Sequence, residues 1–582
     1  MKSALWRAGL ALALVCGIGL LPWLSRTDPA LTVLKARAQD REPTPEVLAA
    51  VRDQLGLDRG PLPLLGQWLT GLVRGDAGRS WISGAEVAPD VLQALSVSLL
   101  LMAVACLAAV CTAVAVCART LYRGGRRRPG GTGSAVLAAL PEFLTASVLA
   151  TVVGVHLGWL PALGWYGPRW TVLPALALGL PAGAVLGRLL DDLLPGAFAE
   201  PWARAAAARG LPGRRIARQA LRRCVPALLP NAALFVVGLT GGAVAVEQIF
   251  DIPGLGRTTL QAALAQDLPV LQAGTLALLL LGAAASGAAR LTARLLIGPA
   301  LRDGALSTLH RPTPPAHRTL PLVLGAALLA TVALGLPRDP LAVTTGERLQ
   351  PPSAQHPFGT DALGRDLLAR VAHGTLDTLL LALAVSAAAL LAGVLLGLLP
   401  RLSGPLVDTV NAVPPVLAAL LVTAVAGGGP NTPALAVTAV AWAPLATHTA
   451  ALLQQERATL HFTATRALGA GRRHLLRREL VPAVLPPVVR HALLRLPGVA
   501  LALASLGFLG LGAQPPSPEW GQLLAENQPY AERAPWAVLA PAALLALLGA
   551  LAVTAAGGLR RPRPGPRTVE VVPVTAAQAP AR

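Results

Sequence analysis

From end to end the chain alternates between long apolar runs and short polar breaks. The first set of runs falls near 4–24, 91–118, 133–158, 170–190, 228–249 and 268–297. A second set falls near 319–337, 375–399, 405–427, 432–453, 487–511 and 535–556. About 20 apolar residues in a helix cross roughly 30 Å of hydrocarbon, and the runs have that length. Pro and Gly recur inside them, which membrane helices tolerate when neighbours satisfy the freed backbone groups. The pattern predicts an all-α integral membrane protein with about twelve transmembrane helices, as six plus six. The N-terminal stretch MKSALWRAGLALALVCGIGLLPWL has the basic start of a secretory signal. No A-x-A cleavage site follows, so it reads as an uncleaved first helix.

Composition agrees with this reading. Of 582 residues, 54% are hydrophobic and 13% charged, with a mean hydropathy of +0.58. A soluble chain carries about twice that charge fraction. The net charge of +20 would ordinarily point to nucleic acid. Here the basic residues sit in short breaks between apolar runs, and aromatics are only 4%, so no nucleic-acid partner is expected. The five cysteines form no CxxC pair with histidine partners and read as small apolar residues.

The breaks set the sidedness. Segment 119–128 holds five arginines and no acid, 200–223 seven arginines and one acid, and 457–478 six arginines and no acid. These lie on one side together with the basic tail, whereas the long 25–90 loop balances eight basic residues with nine acidic ones. Short basic loops stay in the cytoplasm, so both termini are expected there, in a bacterial plasma membrane, with 25–90 outside. The Pro-, His- and Arg-rich stretch 301–318 reads as a cytoplasmic linker. The second half then starts on the same side as the first, making the two six-helix repeats parallel. Expected boundaries are 1–300 and 319–562, with a cytoplasmic tail at 563–582.

One basic segment occurs twice. AARGLPGRRIARQALRRCVPALLP begins at Ala207, and TRALGAGRRHLLRRELVPAVLPP begins at Thr465. Gly210 matches Gly469, Arg214 matches Arg473, and Arg218 matches Arg477. Ile216 and Leu221, like Leu475 and Leu480, recur near helical spacing, predicting two short helices broken at the Gly. Basic loops or lipid-surface helices would have this composition. The shared order and position instead suit docking onto a paired partner.

These residues resemble the inner-membrane permeases of binding-protein-dependent ABC importers, in the dipeptide/oligopeptide/nickel branch. Residues 1–300 resemble one permease type through GLDRGPLPLLGQWLTGLVRGDAGRS (56–80), AARGL (207–211) and VEQIFDIPGLGR (246–257). Residues 319–562 resemble the other through HPFGTDALGRDLLARVAHGT (356–375), TRALGAG (465–471) and SLGFLGLGAQPPSPEWG (505–521). The resemblance implies a type I importer fold with both permease types fused in one chain. It identifies 200–227 and 456–487 as EAA-like loops whose coupling helices seat on two cytoplasmic ABC ATPase subunits. The residues implied in coupling are Arg209, Gly210, Leu211, Arg214, Ala467, Leu468, Gly469, Ala470 and Arg473. Those implied in turns at the outer gate are Glu247, Pro253, Gly254, Gly256, Phe508, Gly510 and Gly512. An extracytoplasmic binding protein would deliver peptides, nickel or a related solute.

The chain departs from the family in three places. Ala205-Ala206-Ala207 and Thr463-Ala464-Thr465 stand where the family has Glu-Ala-Ala. Leu503 stands where a Glu often precedes SLGFLGLG, with Glu247 as its comparable residue in the first half. An Arg common after the fourth span is absent from THTAALLQQE at 447–456.

No GxxxxGK[ST] loop occurs, so ATP is expected on partner subunits, and this chain is expected to hold no cofactor, metal or catalytic residue. His156, His373, His448, His461, His474 and His491 read as scattered surface residues. Trp68, Trp81, Trp520, Tyr530 and Trp536 read as an interfacial aromatic belt. Glu142, Arg188, Asp191, Asp192 and Asp408 fall near span ends, which argues against a proton-coupled carrier and for a pathway free of fixed charge. The alternative is a twelve-helix secondary transporter driven by an ion gradient. A non-transporting scaffold would leave the repeated loops unexplained.

Overall fold

The computed structural model describes residues 2–25, 28–37, 42–57, 60–123, 132–302, 319–411 and 413–558. Most of the linker, the tail after 558 and the basic stretch 124–128 lie outside the described residues.

Every apolar run lies in a helix. The first half uses Lys2–Gly19, Val87–Arg123, Glu142–Leu149 continued by the π-helix Ala150–His156, Pro168–Ala199, Gly213–Ile249 and Leu268–Arg302. The second uses Thr319–Gly335, Leu367–Gly397, Pro415–Ala426, Thr432–Arg457, Val481–Phe508 and Pro535–Gly558. Two parallel six-helix repeats result. The third span is broken in both. Pro141 separates Glu142–Leu149 from Thr132–Ala139, and Pro414 separates Pro415–Ala426 from Pro400–Val410. Each proline caps the next helix with extended ψ, 155° and 145°. The ring lacks an N–H and clashes with a preceding helical turn, so the break is written into the sequence.

The second and fourth helices form the main pairing of each half, and small residues set how closely they approach. In the first half the glycines are on the fourth helix. A Cβ on Gly179 would lie 2.6 Å from the Ala105 carbonyl oxygen, and one on Gly183 2.4 Å from that of Ala109. In the second half they are on the second helix. A Cβ on Gly397 would fall 2.5 Å from Thr449 Cβ, and one on Gly393 2.6 Å from Leu445 Cβ. The same seam is thus built with its glycines on opposite partners.

The halves share one apolar core, which includes Phe143 and Leu173 of the first and Leu420 and Phe508 of the second. The Phe143 and Phe508 rings meet at 5.9 Å. Helix 2–19 packs on Pro400–Val410, and helix 535–558 packs on Thr132–Ala139 and Glu142–Leu149. Each half therefore lays a terminal helix against the other's broken span.

Three expectations change. The 25–90 loop contains the short helices Pro29–Arg37, Pro45–Leu55 and Pro61–Val73, each beginning with Pro, whose missing N–H costs nothing in a first turn. Trp520 is not in an interfacial belt; it is fully buried and donates its indole N–H to Val371 O at 3.0 Å. His448 and His491 are not scattered, because their rings meet at 4.5 Å.

Candidate functional site

The repeated basic segments fold into matching turns. Helix Pro201–Ala208 ends with Gly210 at φ +76°, and helix Leu460–Ala467 ends with Gly469 at φ +87°. In the first turn Leu211 N donates to Ala206 O (3.1 Å) and Gly210 N to Ala207 O (3.0 Å). In the second Ala470 N donates to Thr465 O (3.3 Å) and Gly469 N to Arg466 O (3.1 Å). This is the Schellman pattern, whose left-handed position favours glycine. A Cβ on either glycine meets nothing within 4 Å, so backbone angle alone demands glycine there.

The expected second short helix is not separate. Gly213–Ile249 runs unbroken from the turn through the fifth span, as does Arg472–Phe508 with a π-segment at Leu475–Leu480. In each half the residues after the turn and the fifth span therefore belong to one continuous helix.

Arg209, Gly210, Arg214, Ala467, Leu468, Gly469 and Arg473 are exposed, while Leu211 and Ala470 are half-buried. Leu468 is 89% exposed, unusual for an apolar side chain in a charged loop. The anchors beneath the turns differ between halves. Glu200 binds Arg223 (2.7 Å) and the Trp202 indole (2.9 Å). In the second half His461 sits between Glu456 (2.9 Å) and Glu479 (3.1 Å).

At the opposite end of the fifth helices the residues pair differently from the sequence expectation. Ile252 N donates to Glu247 O (2.9 Å), and Leu511 N to Leu506 O (3.1 Å), so Glu247 corresponds to Leu506 rather than Leu503. The left-handed residue after each helix is Asp251 (φ 56°) or Gly510 (φ +75°). Gly254 and Gly256 have no unusual angle, and they are glycine for space. Their Cβ atoms would lie 2.2 Å from the Glu247 carboxyl carbon and 2.7 Å from Val244. Pro253 stands in the same turn, Gly512 abuts Pro433, and Phe508 ends its helix against Phe143.

The Glu247 carboxylate, wholly buried, accepts from Ser98 Oγ (2.6 Å) and Arg257 N (2.9 Å), holding the start of helix Leu255–Leu264. Glu519 does the same for helix Trp520–Asn527, accepting from Gly521 N (3.1 Å) and Gln522 N (3.2 Å). A Cβ on Gly507 would overlap this carboxylate, so Glu519 reaches the position beside the fifth helix. The carboxylate absent from the second half's fifth helix is supplied from the following loop. Burial pushes the Glu519 carboxyl up to about 7, against its two amide donors.

The GTDALGRD stretch builds a buried charge cluster at this end. Arg370, fully buried, contacts Asp361 (2.8 Å), Glu526 (2.7 Å) and, at 3.4 Å, the carbonyls of Pro516 and Ser517. Arg365 joins both carboxylates at 2.7 and 3.0 Å. The first half has uncharged donors instead, with Asp267 accepting from Trp81 N (3.0 Å) and the Ser80 hydroxyl. In each half an acid between the fifth and sixth helices anchors residues around the start of the second.

Between the halves lies a space of about 420 Å³, walled by the broken third spans and the fifth helices. Glu142, at the start of its helix, lines it. Arg495 lines an adjoining space of about 450 Å³. It lies inside the 487–511 run, where a charge in an apolar stretch was the available signal.

Comparison with known proteins places this architecture. The family model described as binding-protein-dependent transport system inner membrane component matches residues 115–297 and again 384–561. A putative peptide transport system permease protein of Brucella abortus is 32% identical over 267 residues, covering 44% of this chain and 82% of that protein. A di/tripeptide transport system permease protein of Pseudomonas aeruginosa is 38% identical over 208 residues, 33% of this chain and 69% of that protein. The metal-staphylopine import system permease protein of Staphylococcus aureus is 27% identical over 288 residues, 49% of this chain and 92% of that protein. Each relative spans less than half of the chain, as expected if the chain carries two such units. These likenesses support an importer permease and lend nothing to a gradient-driven carrier.

Proposed function

The chain belongs to the binding-protein-dependent transport system inner membrane component family, and from that membership we propose how its fused halves operate. It is the transmembrane permease of an ABC importer, a multi-pass membrane protein carrying both permease units in one polypeptide. The observation that carries the reading further is the same glycine-closed Schellman turn, presented twice among exposed arginines at one end. Two ATPase subunits would seat these turns in the cytoplasm, with Leu468 and the flanking arginines in their grooves and both chain termini on that side. ATP would be bound by those subunits. Residues 1–300 and 319–562 would be the working halves.

ATPase closure would move both turns, and the fifth helices would carry the movement to the opposite end. There the Glu247- and Glu519-capped turns would gate the pathway and face a binding protein outside. A full population swing between two conformations needs about 5.5 kcal/mol of differential binding. Peptide is the solute class the named relatives favour.

Affinity purification of the tagged chain from its native membrane, followed by mass spectrometry, tests this. Two ATPase subunits per chain, lost on a Gly210→Asp/Gly469→Asp double substitution, is the expected result. Recovery of the chain alone, with solute uptake persisting after ATP depletion, would refute it.

A further inference from the structure

The spaces between the halves are lined by one carboxylate and one guanidinium that make no ion pair among the described residues. Glu142 comes from the broken third span of the first half and Arg495 from the fifth helix of the second. The spaces they line share Asn411, Val413, Pro415, Gly498 and Ala502, so the two charges face adjoining spaces with a common wall. Among the described residues no oppositely charged side chain pairs with either.

An ionised group inside a membrane span is expensive, and it persists where a partner or a water-filled path compensates it. The helix dipole favours a carboxylate at Glu142's position, but gives no reason for turning it toward a cavity. The opposite wall is cut back to admit it. A Cβ on Gly242 would lie 3.2 Å from both Cγ and Cδ of Glu142, so glycine leaves the carboxylate its room. The remaining surface is largely Pro, Gly, Val and Leu, which offers little to tell one neutral side chain from another. What such a cavity can recognise is charge at two separated points.

We propose that Glu142 and Arg495 are the two poles of a solute site in the pathway, Glu142 receiving the terminal ammonium and Arg495 the terminal carboxylate of a short zwitterionic peptide. The two adjoining spaces, about 420 and 450 Å³, each fall in the range of small-molecule sites. The site rests on the importer reading above and narrows its solute class.

The test uses the full chain in cells that lack the chromosomal copy, with radiolabelled dialanine as probe. Glu142→Gln and Arg495→Gln should each lower maximal uptake about tenfold while moving the half-saturating concentration less than about twofold, because capture belongs to the separate binding protein. Purified variants should retain their ATPases. Uptake equal to wild type in both variants overturns the site and leaves the importer reading standing. Absence of ATP-dependent dialanine uptake in wild type overturns the site together with the peptide assignment. If a Gln variant loses its ATPases, Glu142→Asp and Arg495→Lys decide. Retention of at least about half the uptake supports charged poles, whereas loss as deep as in the Gln variant overturns them.

Discussion

Gly183→Ala probes the glycine seam that fixes how closely the second and fourth helices lie. The added methyl would stand 2.4 Å from Ala109 O and 2.7 Å from Thr112 Cβ. Carbon–oxygen contacts settle near about 3.3 Å, so the helices must part locally by about 0.9 Å. A gap of 0.5–1 Å forfeits roughly a quarter to a half of each affected dispersion contact. Because the obstructing atom is backbone, it cannot rotate away, and overpacking of this kind costs about 1–3 kcal/mol. Gly282→Ala, where a Cβ meets nothing within 4 Å, is the internal control and should be neutral or slightly stabilising through helix propensity. Gly397→Ala should match Gly183→Ala, since its methyl would fall 2.5 Å from Thr449 Cβ on the equivalent seam. Unfolding in mixed micelles with rising SDS, followed by tryptophan fluorescence, gives the comparison. If Gly183→Ala unfolds at the same SDS fraction as Gly282→Ala, the close-packed seam is wrong.

Gly210→Ala and Gly469→Ala should each weaken ATPase retention by about 1–2 kcal/mol of left-handed strain, without a clash; complete loss of the chain from the membrane would contradict this. Arg370→Met leaves Asp361 and Glu526 buried, with Arg365 as their remaining partner, and should destabilise the chain by about 3–5 kcal/mol in the same SDS titration. Glu247→Gln replaces an acceptor oxygen with a donor facing Ser98 Oγ–H and Arg257 N–H, at about 1–3 kcal/mol, and Glu247→Asp should cost less. Glu519, raised by burial from 4.5 to about 7, binds its proton more tightly folded than unfolded. Its contribution to stability is then present at low pH and lost as pH rises from about 4.5 through 7. Glu519→Gln should flatten that slope in unfolding measured between pH 5 and 8.

Much of this was legible in the chain because membrane spans and turns are local. Hydrophobic runs located all twelve helices, and Pro141 and Pro414 are visible where the third spans break. Gly210 and Gly469 were recognisable from their repeated context, and the structure adds why they are glycine. Trp520 was misread, since an aromatic near a span end has the same local signature whether it faces lipid or core. Arg495 carried a signal in its apolar surroundings, but the sequence does not say that its side of the helix faces a cavity.

The amino-acid sequence by itself determined the membrane class, the two-half organisation, the basic turns and the family, because each depends on periodicity or on contiguous motifs. Tertiary structure decided which residues correspond and which charges meet. Glu247 aligns with Leu506, and the carboxylate missing there arrives as Glu519 from a later loop. Arg370 is balanced by Asp361 and Glu526, the latter far along the chain. Glu142 and Arg495 belong to different halves and line adjoining spaces only after the halves pack. A burial or pairing energy depends on neighbours in space, and a linear pattern records only neighbours in sequence.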